Sequence, residues 1–309
     1  MPGRLLAFLG RNAPPFLAGG VLLGLVLPDL ATAVRPALGP LVALLLGVSL
    51  LRLDWSQLIA YARRPGTAVL AAGWQLVLSP LLVWGCALLA GLPPGLAQAL
   101  VINGAAPSLV ASVALAQLLG LDAPLAVLLV VATTLVLPLT LTPVLFLLLD
   151  LELTIDVGGF LGRFALFVGL PFAAAWCLRL FLPAALIERN GTLLDGANVV
   201  ILVLAALAMM DGVTARLFAA PMTVALFLAA AVAFNAGFQA LGAVLYWRRG
   251  RRTAFSMGLS LGNRNMALML VLTGGLLGPD LALYVAMAQI PVYLLPLVAK
   301  PLYGRLLRD

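Results

Sequence analysis

Charged residues and Pro/Gly pairs interrupt this chain at intervals, and between them it is apolar almost without relief. Cutting at those interruptions leaves ten apolar segments: Ala13 to Leu27, Ala37 to Leu51, Gly66 to Ala90, Gly95 to Leu119, Pro124 to Leu149, Gly158 to Leu182, Ala197 to Met210, Pro221 to Trp247, Ala254 to Leu277 and Leu281 to Leu302. They are apolar on all sides and lack the alternation of a barrel strand. Each therefore predicts a helix, the element that satisfies its own backbone polar groups in lipid. The first, second and seventh are short of the roughly 20 residues that cross the hydrocarbon.

Composition strengthens the membrane reading. Hydrophobic residues make up 64% of the 309 and charged ones 9%, with a mean hydropathy of +1.16; a soluble domain carries about a quarter charged. The net charge of +7 could suggest nucleic acid, but the cations sit in the connections rather than along one basic face. They orient the chain instead. With a cytoplasmic N-terminus the inner side collects Arg63, Arg64, Arg248, Arg249, Arg251, Arg252 and most other basic residues. The outer side keeps Arg35, Arg163 and Arg216 beside Asp29, Asp150, Glu152, Asp156, Asp211 and Asp280. Both termini are then expected inside, in a bacterial inner (plasma) membrane. The N-terminal run through Arg11 reads as part of the first span, not as a signal peptide. Cys86 and Cys177, without redox or metal spacing, read as small core residues. Histidine is absent, which removes the near-neutral proton carrier and the commonest metal ligand. No enzyme, catalytic residue or metal site is expected.

The chain also resembles itself. Leu118-Leu119-Gly120-Leu121-Asp122 recurs as Leu276-Leu277-Gly278-Pro279-Asp280, and Pro138 and Pro143 recur as Pro296 and Pro301, all at an offset of 158. Residues 1–150 and 151–309 thus read as two repeats of five helices. An odd number of spans per repeat inverts the second in the membrane, as in secondary transporters whose sites form where broken helices meet at the midplane.

The breaks are visible. The fourth segment contains Asn103-Gly104-Ala105-Ala106-Pro107-Ser108 and the ninth contains Ser260-Leu261-Gly262-Asn263-Arg264-Asn265; at the offset of 158, Gly104 falls on Gly262 and Pro107 on Asn265. Proline removes a backbone donor, freeing carbonyls that could coordinate a cation, while a restarting helix offers amides to an anion. Arginine at a bilayer centre costs roughly 2.5 to 3.5 kcal/mol on insertion scales, so Arg264 marks function. Gln75 and Gln239 are mates in the third and eighth segments; Asn235 lies one turn before Gln239 and Ser112 one turn after Ser108. The expected site is Gln75, Pro107, Ser108, Ser112, Asn235, Gln239, Ser260, Asn263, Arg264 and Asn265. Asp211 is a distant candidate partner for Arg264; Thr133, Thr134, Ser256 and Gln289 would line the same cavity, although ordinary interhelical bonding suits the Ser and Thr residues better.

These residues resemble the bile acid:sodium symporter family, within the group that also holds arsenite and auxin-type carriers. The likeness rests on Gln75 with Pro80 five residues on, Pro107 followed by Ala111-Ser112, and Gly262 to Asn265. It implies an all-α polytopic membrane fold of ten helices in two inverted repeats. A panel domain would comprise the first, second, sixth and seventh helices, and in the core domain discontinuous helices four and nine would cross. It also implies an organic anion moved with sodium. Where the family carries Glu, Gln and Asn, this chain has Ser260, Arg264 and Val113. The first two family residues help to ligate sodium, and hard cations want oxygen. The expectation is a carrier of a small organic anion in which Arg264 holds a sodium-site position, with no cofactor and sodium coupling in question. A non-transporting sensor or scaffold with the same fold is the alternative. Substrate, coupling ion, direction and oligomeric state stay open.

Overall fold

The structure, a computed structural model, describes residues 2–11, 13–53, 65–149, 157–274 and 278–307. Among them no strand occurs; backbone pairing outside helices includes one isolated antiparallel bridge. Arg63, Arg64, Asp150, Glu152 and Asp156, the boundary between the two expected repeats, and Leu276-Leu277 of the repeat motif lie outside the described residues. The chain is an all-α polytopic membrane protein. Among the described residues, seven helices are long and apolar enough to cross a membrane: Pro28–Leu51, Val69–Leu89, Ala123–Leu149, Gly158–Phe181, Gly191–Ala219, Pro221–Leu245 and Gly278–Leu295, with Pro15–Val26 shorter. The fourth and ninth segments are absent from that set for a physical reason. Each is two short helices, Pro94–Ala105 with Ser112–Leu118 and Arg251–Gly262 with Met266–Thr273.

Helices Ala13–Val26, Leu38–Leu51, Leu170–Phe181 and Gly191–Met209 pack on one another as a first bundle, and Pro2–Arg11 lies along Gly191–Met209. The N-terminal run is thus a helix preceding the first span. A second bundle gathers the third, fourth, fifth, eighth, ninth and tenth segments, with Pro221–Leu245 against Arg251–Gly262 and Ser79–Leu89 against Pro94–Ala105. Glycine makes both contacts close. A Cβ on Gly104 would sit 2.9 Å from Pro80 Cα, and one on Gly262 2.5 Å from the Asn235 carbonyl oxygen.

Three expectations are corrected. The seventh helix begins at Gly191, six residues before its apolar stretch, because Arg52 neutralises Asp195 through bonds of 2.8 and 2.9 Å. Cys86 and Cys177 are exposed on the outer surface of the bundle rather than in its core. Asp211 accepts a 2.6 Å bond from Thr32 Oγ1 and is not the partner of Arg264.

Candidate functional site

The two breaks meet. Chain 106–111 and chain 263–265 leave helical geometry, and Ser108 and Arg264 face each other in the antiparallel bridge. The Leu109 amide donates to the Asn263 carbonyl at 3.0 Å, and the Asn265 amide donates to the Pro107 carbonyl at 2.9 Å. Each interrupted helix thereby satisfies groups that the other left orphaned, which a break inside a membrane requires. Asn265 caps the restarting helix Met266–Thr273 by accepting from the Leu268 amide at 3.1 Å.

Arg264 fills the crossing and is 2% exposed. Its Nε donates to the Leu261 carbonyl at 2.7 Å, Nη1 to the Ala106 carbonyl at 2.9 Å and the Gln75 carbonyl at 3.3 Å, and Nη2 to Ser79 Oγ at 3.1 Å. Its Cζ stands 5.9 Å from the Phe238 ring centroid. No carboxylate of the described residues pairs with it.

The backbone explains why these three carbonyls are free. In an unbroken helix the Leu261 carbonyl would accept from the amide of Asn265, which is given to Pro107 instead. The Ala106 carbonyl loses its acceptor role where the fourth segment unwinds. The Gln75 carbonyl is freed by a subtler device. The third segment runs Pro65–Gly73, a π-helical turn Trp74–Leu78, then Ser79–Leu89, and the Ser79 amide bonds Trp74 rather than Gln75. The wide register assigns Gln75 the amide of residue 80, which is Pro80 and has none. A glutamine with proline five residues on is thus a way to leave one carbonyl unclaimed. Three irregularities release three oxygens, and one guanidinium takes all three.

The Gln75 side chain completes the set. The Ser108 amide and Arg264 Nη1, both donors, point at the same carboxamide atom, which is therefore its oxygen, at 2.8 and 2.9 Å; the nitrogen donates to Ser108 Oγ at 3.0 Å. Thr133 Oγ1 also accepts from the Ser108 amide at 3.0 Å. On the other side Asn235 Nδ2 donates to the Gly262 carbonyl at 2.9 Å and to Asn263 Oδ1 at 2.8 Å, Gln239 donates to Asn235 Oδ1 at 2.6 Å, and Tyr303 donates to Gln239 at 3.1 Å.

All ten expected residues lie at or around the crossing, but in different company. Ser112 Oγ, Ser260 Oγ and Thr134 Oγ1 are buried without a hydrogen-bond partner among the described residues. Sequence reasoning missed Ser79, and it missed Asn103 with Tyr284, whose hydroxyl accepts from Asn103 Nδ2 at 2.8 Å. A polar atom at the proline-flanked start of a helix could have flagged Ser79; nothing local flags a tyrosine among leucines. A crevice beside the crossing is lined by Asn103, Phe234, Asn235, Gly262 and Arg264, and its free space of about 10 Å³ holds about one water.

The Sodium Bile acid symporter family matches residues 17–232, more than two thirds of the chain. This protein belongs to that family. Membership makes it a membrane transporter of a family named for sodium and bile acid. No curated protein matches it. The ion implied by the family does not fit the carbonyl cage of this chain. The carbonyl oxygens of Leu261, Ala106 and Gln75 are bonded to the guanidinium, which fills the space at their centre.

Proposed function

We propose that this family member is a secondary active carrier of a small organic anion, working by alternating access, in which Arg264 takes the place of a bound cation at the crossing. The observation that carries this reading is the guanidinium with three unclaimed carbonyls and no carboxylate around it. Helix breaks turn partial negative charge toward one point, and a cation there is favourable; here the chain supplies it covalently. Among the described residues no acid cancels the positive charge, so an anion approaching the crossing is attracted in a medium of low dielectric. Gln75, Ser79, Ser108 and Asn265 fix the guanidinium and the break. Asn235, Gln239, Asn263, Ser112 and Ser260 shape the surroundings, Pro107 keeps the fourth segment open, and the second bundle rocks against the first.

Two further parts of the reading rest on pattern. The third segment packs on the fourth at Gly104, and the eighth on the ninth at Gly262, at the offset of 158; this supports two inverted five-helix repeats, 1–150 and 151–309. The excess of arginine in the connections on one side supports a bacterial inner-membrane protein with both termini in the cytoplasm.

The test is uptake of radiolabelled carboxylates into proteoliposomes with sodium replaced by potassium. Uptake is expected to persist, and strict sodium dependence would refute a tethered cation. A non-transporting sensor of the same fold is the competing reading; counterflow exchange of any labelled carboxylate excludes it.

A further inference from the structure

We infer that two polar latches, each seated on a glycine, hold one face of the molecule shut by tying the first bundle and its following connection to the ends of both broken segments. The inference rests on the alternating-access reading for its purpose but not for its geometry. In the first latch Arg163, from the sixth segment, donates through Nε to the Leu272 carbonyl at 2.8 Å, in the last turn of Met266–Thr273. Its guanidinium lies over Gly274, which ends that helix at φ +58; a Cβ there would stand 3.1 Å from Arg163 Cζ.

In the second latch Arg216 Nη2 bonds Asp280 Oδ1 at 2.6 Å, with side chains 33% and 35% exposed. Asp280 begins the tenth segment, and its carboxylate lies over Gly95 in the first turn of Pro94–Ala105, where a Cβ would stand 2.8 Å from Asp280 Cγ. Helix Val213–Ala219, which carries Arg216, is anchored on the first segment by Thr214 Oγ1 donating to the Leu25 carbonyl at 2.7 Å.

Both ties lie on one face. Arginines paired on the opposite face bond inside their own bundles: Arg52 to Asp195 and Arg179 to the Leu51 carbonyl at 3.0 Å in the first, Arg251 to the Leu306 carbonyl at 2.9 Å in the second. Among the described residues, both of these cross-bundle ties lie on the face bearing Arg163, Arg216 and Asp280. They grip the first half of the fourth segment and the second half of the ninth, the two halves that run from that face to Arg264. A half-exposed ion pair and one charge-assisted bond are weak enough to open and re-form in a transport cycle.

Spin labels at Ala33→Cys, in the first bundle's connection, and Leu89→Cys, at the end of the third segment, report this face in full-length protein whose Cys86 and Cys177 are replaced by alanine. In lipid nanodiscs the parent is expected to show mainly one short distance. Asp280→Asn with Arg163→Gln is expected to raise the longer-distance population about two- to five-fold. Gly95→Val, which unseats Asp280 without removing a charge, is expected to do the same, and the charge-reversed pair Arg216→Asp with Asp280→Arg to restore the parent distribution. Distances unchanged in both Asp280→Asn with Arg163→Gln and Gly95→Val would overturn the latches. Counterflow exchange by the parent separates the two readings: exchange with immobile distances removes the latches alone, whereas shifted distances without exchange remove the carrier and leave the latches.

Discussion

The two broken segments solve one problem by different means. The fourth is interrupted over six residues, 106–111, by Pro107, whose missing amide makes the break a property of the covalent backbone. The ninth is interrupted over three, 263–265, with no proline, and its break exists because side chains hold it: Asn265 caps the restart, Asn263 is tied to Asn235, and Arg264 bonds the carbonyl of Leu261 in the turn it has just left. One break is built in, and the other is maintained. Substitutions in the ninth segment should therefore cost more than their counterparts in the fourth.

The largest effect is expected from Arg264. Replacing it with methionine leaves the carbonyls of Leu261 and Ala106 and the hydroxyl of Ser79 buried without their donor, a loss of about 1–3 kcal/mol for each buried acceptor left unsatisfied. Uptake should vanish and thermal stability in detergent should fall clearly. Arg264→Gln sharpens the comparison, because it keeps a polar side chain while emptying the centre of the oxygen cage. Sodium should then raise the melting temperature of the variant and leave the parent unmoved; a variant indifferent to sodium would show that the cage is not shaped for a cation.

Next come the paired glycines. A Cβ on Gly262 meets the Asn235 carbonyl oxygen at 2.5 Å, and one on Gly104 meets Pro80 Cα at 2.9 Å. Both neighbours are backbone and cannot swing aside, so alanine at either site overpacks at about 1–3 kcal/mol. Gly262→Ala is expected to be the worse of the two in thermal unfolding, since it also pushes on the Gln239 side chain, which bonds the carboxamide of Asn235. Equal losses would erase the distinction between the breaks at the level of packing.

How much of this was legible in the sequence follows the same division. Pro107 announces its break locally, and Arg264 is conspicuous because a cation in an apolar segment has no other reason to be there. Gln75, Asn235 and Gln239 stand out by polarity alone. What could not be read was who bonds whom. The partners of Arg264 are mainly carbonyls, whose availability depends on the register of a π-helical turn and on amides lent across the crossing; neither leaves a periodic trace. Asn103 with Tyr284 and Arg52 with Asp195 join positions 181 and 143 residues apart, and the second pair carried the seventh helix beyond its apolar limit. Ten segments were drawn by apolar length, yet two of them cross as paired fragments too short to qualify by length and composition alone.

The smallest effects separate the breaks most cleanly. Asn265→Ala removes a cap worth about 1 kcal/mol and an anchor of the maintained break. Pro107→Ala restores an amide at 107, and a rewound fourth segment could use it on the Asn103 carbonyl, which now accepts from Ala106 at 3.2 Å. Rewinding would forfeit the bonds from Leu109 to Asn263 and from Asn265 to Pro107, together with the Ala106 carbonyl held by Arg264. Without proline the break loses its covalent cause, and the amides of 107 to 111 can close helical bonds onto the carbonyls of 103 to 107, so partial rewinding is expected at the expense of those crossing bonds. Amide exchange over 106–111 measures the balance directly: protection should rise there in Pro107→Ala, whereas in Asn265→Ala the amides of 266–268 should exchange faster. Exchange across 106–111 unchanged from the parent would mean that the hydrogen bonds of the crossing, and not proline, keep the fourth segment unwound.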